Sequence, residues 1–502
     1  MSPALAALAL LALALPARAD DAPGPFAISE WRVPGRVVDA FAARGEDGRD
    51  TVFAISLTGS PPRERRWLTA LPRDLAEPAH PVEVPGDVVA VDGDELGLAP
   101  GPELVWLASR SVRVVSERGQ LLADHPLVPP LGLPPRTWEL AHLDFVRDWD
   151  SDGRLEALAP SADGARVIPL VPGDRTQELA LPLTADYGTP TVENYFRPGF
   201  LVTALAWPLL ALADDDGDGR PDLFAANRYE LRVFHAGPDG LSSQPTRVRA
   251  FPPFTAEEER RHLASTQLVF VRDLDGDGRA DLVVHRMVGE LMQSRSTTTI
   301  HRNAGAGADP QAEPSGRIAL SGGNAAIRVD DIDGDGRAEI LEAYVGFGVM
   351  QAIRMLTLQR VEVRLRVLTL PASGAPVETW SALVSFPFDF STSRVRGLLP
   401  FTEADWNGDG RLDLCWGDGS GVLRFRLGEA RPAGPGFGGE VASMPLAITG
   451  ELVAADLDGD GLSDFVAYDP LDAEGRLRVA YNRGVLPGTP AALHAPPPAA
   501  PR

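Results

Sequence analysis

Six short segments carry carboxylates at a spacing suited to one kind of chemistry. Asp148, Asp150, Asp152 and Glu156 form the first set, and Asp214, Asp216, Asp218 and Asp222 the second. Asp273, Asp275, Asp277 and Asp281 follow, then Asp331, Asp333, Asp335 and Glu339. The last two sets are Asp405, Asn407, Asp409 and Asp413, and Asp456, Asp458, Asp460 and Asp464. All six fit D-x-[DN]-x-D-G-x-x-[DE], with first residues 66, 59, 58, 74 and 51 apart. Calcium takes six to eight oxygen ligands, and carboxylates at positions 1, 3 and 5 of a tight turn converge on one point. Glycine at position 6 permits the reversal that turns the position 7 carbonyl inward. Position 7 is Arg154, Arg220, Arg279, Arg337, Arg411 and Leu462 in turn. The position 9 carboxylate closes the site. Without a cation, carboxylates crowded within roughly 5 Å repel by about 3 kcal/mol per pair at an effective dielectric of 20. Positions 1, 3, 5 and 9 of the six loops hold 23 carboxylates, and six Ca²⁺ ions would bring the formal charge from −23 to −11.

The flanking residues decide which kind of loop this is. An EF-hand needs Glu at position 12 and a helix on each side. Position 12 here is Ala159, Ala225, Val284, Glu342, Trp416 and Ala467, so one loop in six complies. Upstream stand runs such as Leu268–Val271, Ala326–Val329 and Leu452–Ala455; downstream stand Leu282–Val284, Leu223–Ala225 and Phe465–Ala467. These short apolar or alternating runs read as strands, so each loop joins the two strands of a hairpin.

On these motifs, from Asp148 to Asp464, the chain resembles the FG-GAP/VCBS repeat family, whose calcium-loaded hairpins build β-propellers such as the integrin α-subunit head. The Phe-Gly and Gly-Ala-Pro signatures are not recognisable, so the VCBS branch is the nearer likeness. The resemblance implies an all-β propeller in which positions 1, 3, 5 and 9 of each loop supply side-chain ligands and position 7 a carbonyl.

Two degenerate hairpins precede the six. Arg36–Phe41 and Thr51–Ser56 flank Glu46–Asp50, and Asp87–Val91 and Glu103–Leu107 flank Asp92–Asp94; neither keeps the full ligand set. Eight hairpins over residues 20–486 give about 58 residues per blade, against about 67 for seven. Only two strands, Phe465–Tyr468 and Arg476–Tyr481, remain after the last loop, while Phe26–Val33 has no partner ahead of the first hairpin. A propeller closes by borrowing such a terminal strand, which removes a sheet edge. Eight blades closed by the N-terminal strand is therefore the expectation, with seven as the alternative. Three segments exceed a minimal blade. Thr255 and Glu258 form a capping box for a helix start. Residues 342–370 widen one interval, with Val361, Val363, Leu365 and Val367 alternating as in an extended strand pair. Tyr187–Trp207 gathers Tyr187, Tyr195, Phe196, Arg197, Phe200 and Trp207 in a loop-like context.

Composition narrows the function. All 47 basic residues are arginine, which excludes chemistry that needs lysine, including Schiff bases, the P-loop and Ser–Lys dyads. A net charge of −23 argues against nucleic acid and against anionic membrane surfaces. The single cysteine, Cys415, excludes an intramolecular disulfide, a CxxC pair, a cysteine zinc cluster and c-type haem attachment, and its apolar run makes it a buried thiol. Residues 1–19 read as a signal peptide: twelve Ala and Leu residues from Ala4 to Leu15, then Ala17-Arg18-Ala19 as a small-x-small cleavage site. The run is too short to span a bilayer, and no other stretch approaches eighteen apolar residues, so no transmembrane segment is expected. The mature propeller, 20–486, is expected in the periplasm or outside the cell, followed by a disordered Pro/Ala-rich tail, 487–502. His285-Arg286 could face the central channel, although a strand histidine is usually structural. Two functions remain: a calcium-stabilised adhesion scaffold binding a protein or glycan, with Tyr187–Trp207 as the candidate contact, or a carbohydrate-active enzyme resembling a polysaccharide lyase.

Overall fold

The computed structural model describes residues 24–490, except 61–62, 73–78, 132–139, 162–163, 172–175, 189–201, 239, 261–264, 290–293, 372–374, 392–393, 447 and 449. The expected signal peptide, residues 1–19, and residues 491–502 of the expected tail therefore lie outside the described residues.

The second strand of each blade explains the architecture. Asp50–Thr58, Glu103–Ala108, Glu156–Pro160, Asp222–Ala226, Asp413–Gly417 and Asp464–Tyr468 are buried at every position or all but their ends. A strand covered on both faces reads as a continuous apolar run, because a neighbouring sheet packs on each side. Eight sheets result, at residues 36–83, 88–126, 146–179, 209–250, 265–321, 323–395, 398–444 and 451–482, antiparallel except that Ala141–His142 adds a short parallel strand beside the first strand of the second. We number them as blades 1 to 8. First strands of adjacent blades lie against one another, as in blades 4 and 5, 7 and 8, and 8 and 1, so they line the centre.

Closure follows the expectation. Phe26–Arg32 pairs antiparallel with Arg476–Asn482, in register from Phe26 opposite Asn482 to Arg32 opposite Arg476, and so completes blade 8 as its outermost strand. Phe26 anchors it, with ring centroids 5.1 Å from Phe465 and 5.7 Å from the fully buried Trp406. This settles the count at eight.

Because the strands of each blade run up and down, first-to-second and third-to-fourth connections share one face of the propeller. Second-to-third connections and the links between blades share the other. All six acidic loops and both degenerate hairpin loops are first-to-second connections, so one face carries a ring of eight. The opposite face carries the insertions. The capping box forms as expected: Thr255 N donates to Glu258 Oε2 at 2.7 Å and Glu258 N to Thr255 Oγ1 at 3.3 Å, starting helix Ala256–Arg260. The 342–370 segment does contain a long strand, Arg360–Thr369, but also a helix, Val349–Leu358, that alternation did not reveal. That helix turns its polar Gln351 toward the sheet and leaves Val349, Met350, Ile353 and Leu356 exposed, so no inward apolar stripe marks it. The Tyr187–Trp207 segment is not simply a loop: Thr184–Gly188 pairs with Val202–Ala206 as a hairpin. Tyr195, Phe196, Arg197 and Phe200 lie outside the described residues, and Trp207 packs half-buried against the core between blades 3 and 4.

Candidate metal centre

Each acidic loop is organised first by its position 1 carboxylate, which accepts two backbone N–H groups. Asp214 takes Gly217 N at 2.6 Å and Gly219 N at 2.7 Å; Asp331 takes Gly334 N at 2.7 Å and Gly336 N at 2.8 Å. The same pair of bonds recurs at Asp273, Asp405 and Asp456, while Asp148 takes Asp152 N at 3.0 Å and Gly153 N at 2.9 Å. Both reversals need positive φ. Positions 4 and 6 are glycine at +72° to +87°, except Ser151, which holds position 4 of the first loop at +61° without that freedom. The position 5 carboxylate then accepts the position 7 N–H, as from Arg154 to Asp152 at 2.8 Å and from Leu462 to Asp460 at 2.8 Å.

Position 9 opens the second strand and is buried. Asp413 accepts Trp406 N at 2.7 Å and Gly428 N at 2.8 Å; Asp464 accepts Leu457 N at 3.0 Å and Asn482 N at 2.6 Å. Glu156, Asp222, Asp281 and Glu339 make the same bond to the position 2 N–H. Position 9 thus latches the loop to the sheet as well as facing the carboxylates.

The carboxylates converge. Oxygens of Asp148, Asp150 and Glu156 lie within 4.8 Å of one another, as do those of Asp273, Asp275 and Asp281, and of Asp331, Asp333 and Glu339; in the second loop the trio is Asp214, Asp216 and Asp218. Burial, with the neighbouring carboxylates adding to it, pushes Glu156, Glu339 and Asp464 up to about 8, Asp413 to about 7 and Asp281 to about 6. Asp275 Oδ1 and Asp333 Oδ1 are buried with no hydrogen-bond partner among the described residues. An all-oxygen donor set with orphaned carboxylate oxygens fits a hard cation such as calcium.

Position 7 arginines serve two ends. Arg337 Nε donates to Asp335 Oδ2 at 3.0 Å, and this hydrogen bond holds the Asp335 carboxyl below its ordinary value. Arg411 likewise meets Asp409 at 3.2 Å. Arg279 instead reaches the preceding loop, donating to Asp216 O at 2.7 Å. Such links chain the ring: Ala280 N donates to Asp214 O, Ala338 N to Asp273 O, Leu412 N to Ile332 O, and Asp50 N of blade 1 to Asp456 O, at 2.7–2.9 Å. Position 8 makes each of these bonds, and only in blade 4 is it a proline, Pro221, which has no N–H to give.

Sequence reasoning missed one further group. Position 2 is apolar in five loops (Trp149, Leu274, Ile332, Trp406 and Leu457), but it is Asp215 in the second. Asp215 is 1% exposed, accepts Arg247 Nη1 at 2.8 Å and lies 2.9 Å from His235 Nε2. The protein supplies its cation here. His285, for its part, faces no channel: it is buried between Thr298 Oγ1 at 2.9 Å and Ala325 O of blade 6 at 3.1 Å. Burial raises the Cys415 thiol far above its ordinary value, as an inert core residue requires. Among the described residues no helix is long and apolar enough to cross a membrane.

The FG-GAP-like repeat profile matches residues 214–284 and 273–342, that is, blades 4 to 6 with three of the loops. No curated protein matches the chain in sequence. Solved structures similar to it include the WD40 domain of SCAP from fission yeast, at 10% identity and TM-score 0.39 over 91% of this chain and 95% of that one. The Dos1 propeller matches at 11% identity and TM-score 0.39, over 90% of this chain and 95% of that one. The V. cholerae biofilm matrix protein Bap1 matches at 12% identity and TM-score 0.34, over 92% and 84%.

Proposed function

We propose that this chain, which carries FG-GAP-like repeats on an eight-bladed β-propeller, is an exported calcium-loaded scaffold that binds a protein or glycan outside the cytoplasm. The convergence of carboxylates at positions 1, 3 and 9 within 4.8 Å, with Asp275 Oδ1 and Asp333 Oδ1 orphaned, carries the reading. In it, positions 1, 3, 5 and 9 of each loop hold one Ca²⁺ with the position 7 carbonyl, six ions in all. Calcium supplies charge compensation there, and the chain supplies the rest: position 1 shapes the turn, and position 9 ties the ion to the sheet. The hydrogen bonds between successive loops tie one site to the next around the ring. Such sites are structural, and millimolar extracellular calcium suffices for weak ones. The repeat motifs and the Ala/Leu-rich N-terminus support placement outside the cytoplasm.

The test is thermal unfolding of the mature protein with calcium and with excess EDTA, alongside metal analysis. About six Ca²⁺ per chain and a large EDTA-induced loss of stability are expected. An unchanged melting curve with no bound metal would remove the calcium sites and the scaffold reading built on them.

A further inference from the structure

Loop position 12 faces an arginine across the sheet. Trp106 pairs with Arg113, Ala159 with Arg166, Ala225 with Arg232, Glu342 with Arg366, Trp416 with Arg424 and Ala467 with Arg478. The third strand therefore repeats one arginine in blades 2, 3, 4, 6, 7 and 8. Five of the six close an ion pair within their own blade: Arg113 with Asp87, Arg166 with Glu178, Arg232 with Glu230, Arg366 with Glu342, and Arg424 with Asp418 and Glu440. Blades 1 and 5 carry threonine instead, Thr69 opposite Ala54 and Thr299 opposite Val284. Thr69 is fully buried, but Thr299 lines a cavity of about 1160 Å³ between blade 5 and the link that leads into it from blade 4. The molecule is open where blade 5 abandons the repeated arginine.

We propose that this cavity is a binding site for an acidic oligosaccharide, a chain bearing both carboxylates and hydroxyls. The proposal rests on the scaffold reading above and gives it a location and a ligand class. The two walls differ. On the sheet wall, Arg295 and Arg317 are exposed and make no ion pair among the described residues; Thr299 stands directly opposite Arg317, and Thr297 stands between the two rows. Arg286 is held beneath them, donating to Gln267 Oε1 at 2.8 Å and lying 4.3 Å over Phe254. Free guanidinium groups match carboxylates in a bidentate fork. On the other wall stand Glu257 and Glu258 of the link, and Glu313 lines the cavity from blade 5's own third-to-fourth connection; these carboxylates accept hydrogen bonds and repel anions. An acidic peptide would meet those carboxylates with carboxylates, whereas sugar hydroxyls donate to them. Arg295 and Arg317 rise from rows four residues apart, about 13 Å along the strand, so a ligand meeting both is a chain and not a single sugar.

The test is calorimetric titration of the calcium-loaded mature protein with tetragalacturonate, beside maltotetraose, galacturonate monomer and tetraglutamate. Tetragalacturonate is expected to bind at least tenfold more tightly than the other three. Arg295→Gln with Arg317→Gln, both at exposed positions, should weaken it at least tenfold. Thr299→Arg, which restores the repeated residue and fills the cavity, should do the same while the melting temperature stays within a few degrees. If Thr299→Arg unfolds the protein, the double glutamine variant decides. Absence of tetragalacturonate binding overturns the proposal, as does equal affinity for tetraglutamate or binding that ignores the double variant. The EDTA melt on the same preparation separates the two readings: a calcium-dependent melt without sugar binding sinks this site alone.

Discussion

Blades 2 and 6 build the same hairpin in two ways. In blade 6 the loop from Asp331 to Glu339 gathers carboxylates that the protein leaves partly unpaired, with Asp333 Oδ1 orphaned and Glu339 pushed up to about 8 by burial. In blade 2 the corresponding carboxylate, Glu103, is fully buried and accepts backbone N–H groups from Leu96 at 2.8 Å, Leu98 at 2.7 Å and Ala99. Asp92, before that loop, accepts Phe145 N and Val146 N at 2.8 Å each. One hairpin satisfies its acids with backbone N–H groups, Glu103 from its own turn and Asp92 from Phe145 and Val146, and the other leaves carboxylate oxygens without a partner. The difference lies in the residues of the turn, since each hairpin leaves eight between its strands, 95–102 and 331–338. Residues 95–102 carry Gly97 and Ala99 where the acidic turn has Asp333 and Asp335, and the N–H groups of Leu96, Leu98 and Ala99 go to Glu103, whereas the acidic turn spends N–H groups on positions 1 and 5.

The largest expected effect separates the blades by calcium removal. EDTA should lower the melting temperature by on the order of 10 °C, because each site held at a hundred times its dissociation constant contributes about 2.7 kcal/mol. Hydrogen exchange should then quicken in the loops of blades 3 to 8 but not around Glu103. Uniform quickening in all eight blades would erase the distinction.

pH should sharpen it next. Glu156, Glu339, Asp464, Asp413 and Asp281 have folded values raised above those of the unfolded chain. In EDTA, their contribution to stability is fully present below the unfolded value of about 4 and is lost as pH rises through about 6 to 8. Calcium should reverse that slope by taking the place of the proton. Melting temperatures from pH 4.5 to 8.5, with and without calcium, check the sign. Parallel curves would mean that no ion replaces those protons.

Single substitutions come third. Glu103→Gln leaves one buried N–H group short of an acceptor and should cost about 1–3 kcal/mol whether or not calcium is present. Asp331→Asn should lower the bound calcium from about six ions to about five and lose its effect on stability in EDTA. Denaturant titrations in both buffers would show whether the two costs respond to calcium differently. The smallest effect concerns Ser151, the serine at φ +61° where the other loops have glycine. Ser151→Gly should stabilise by about 1 kcal/mol, because a side chain in the left-handed region costs about that much.

The acidic loops and their neighbours were legible for different reasons. A metal loop needs oxygens at fixed offsets within nine residues, so its chemistry is local and repeats visibly. The terminal strand Phe26–Arg32 was legible by subtraction, because blade 8 lacked a strand. The helix Val349–Leu358 was not, because its buried residue is Gln351, Met355 alone of its large apolar side chains packs on the core, and the others are exposed, so it lacks the apolar stripe that announces a packed helix. Asp215 hid in plain view: it extends a run of aspartates, and only the approach of Arg247 from another strand shows that it is a core ion pair.

By itself, then, the sequence determined the all-β class, a repeated hairpin that left seven or eight blades open, and the residues of six candidate cation loops, since all three rest on short-range periodicity. The tertiary structure alone decided which carboxylates bury and which face one another, that successive loops join through Ala280, Ala338, Leu412 and Asp50, and that the repeated third-strand arginine fails in blade 5. Those facts depend on pairing between residues distant along the chain. Register across a sheet, and not order along a strand, sets what Thr299 stands opposite and what space it leaves.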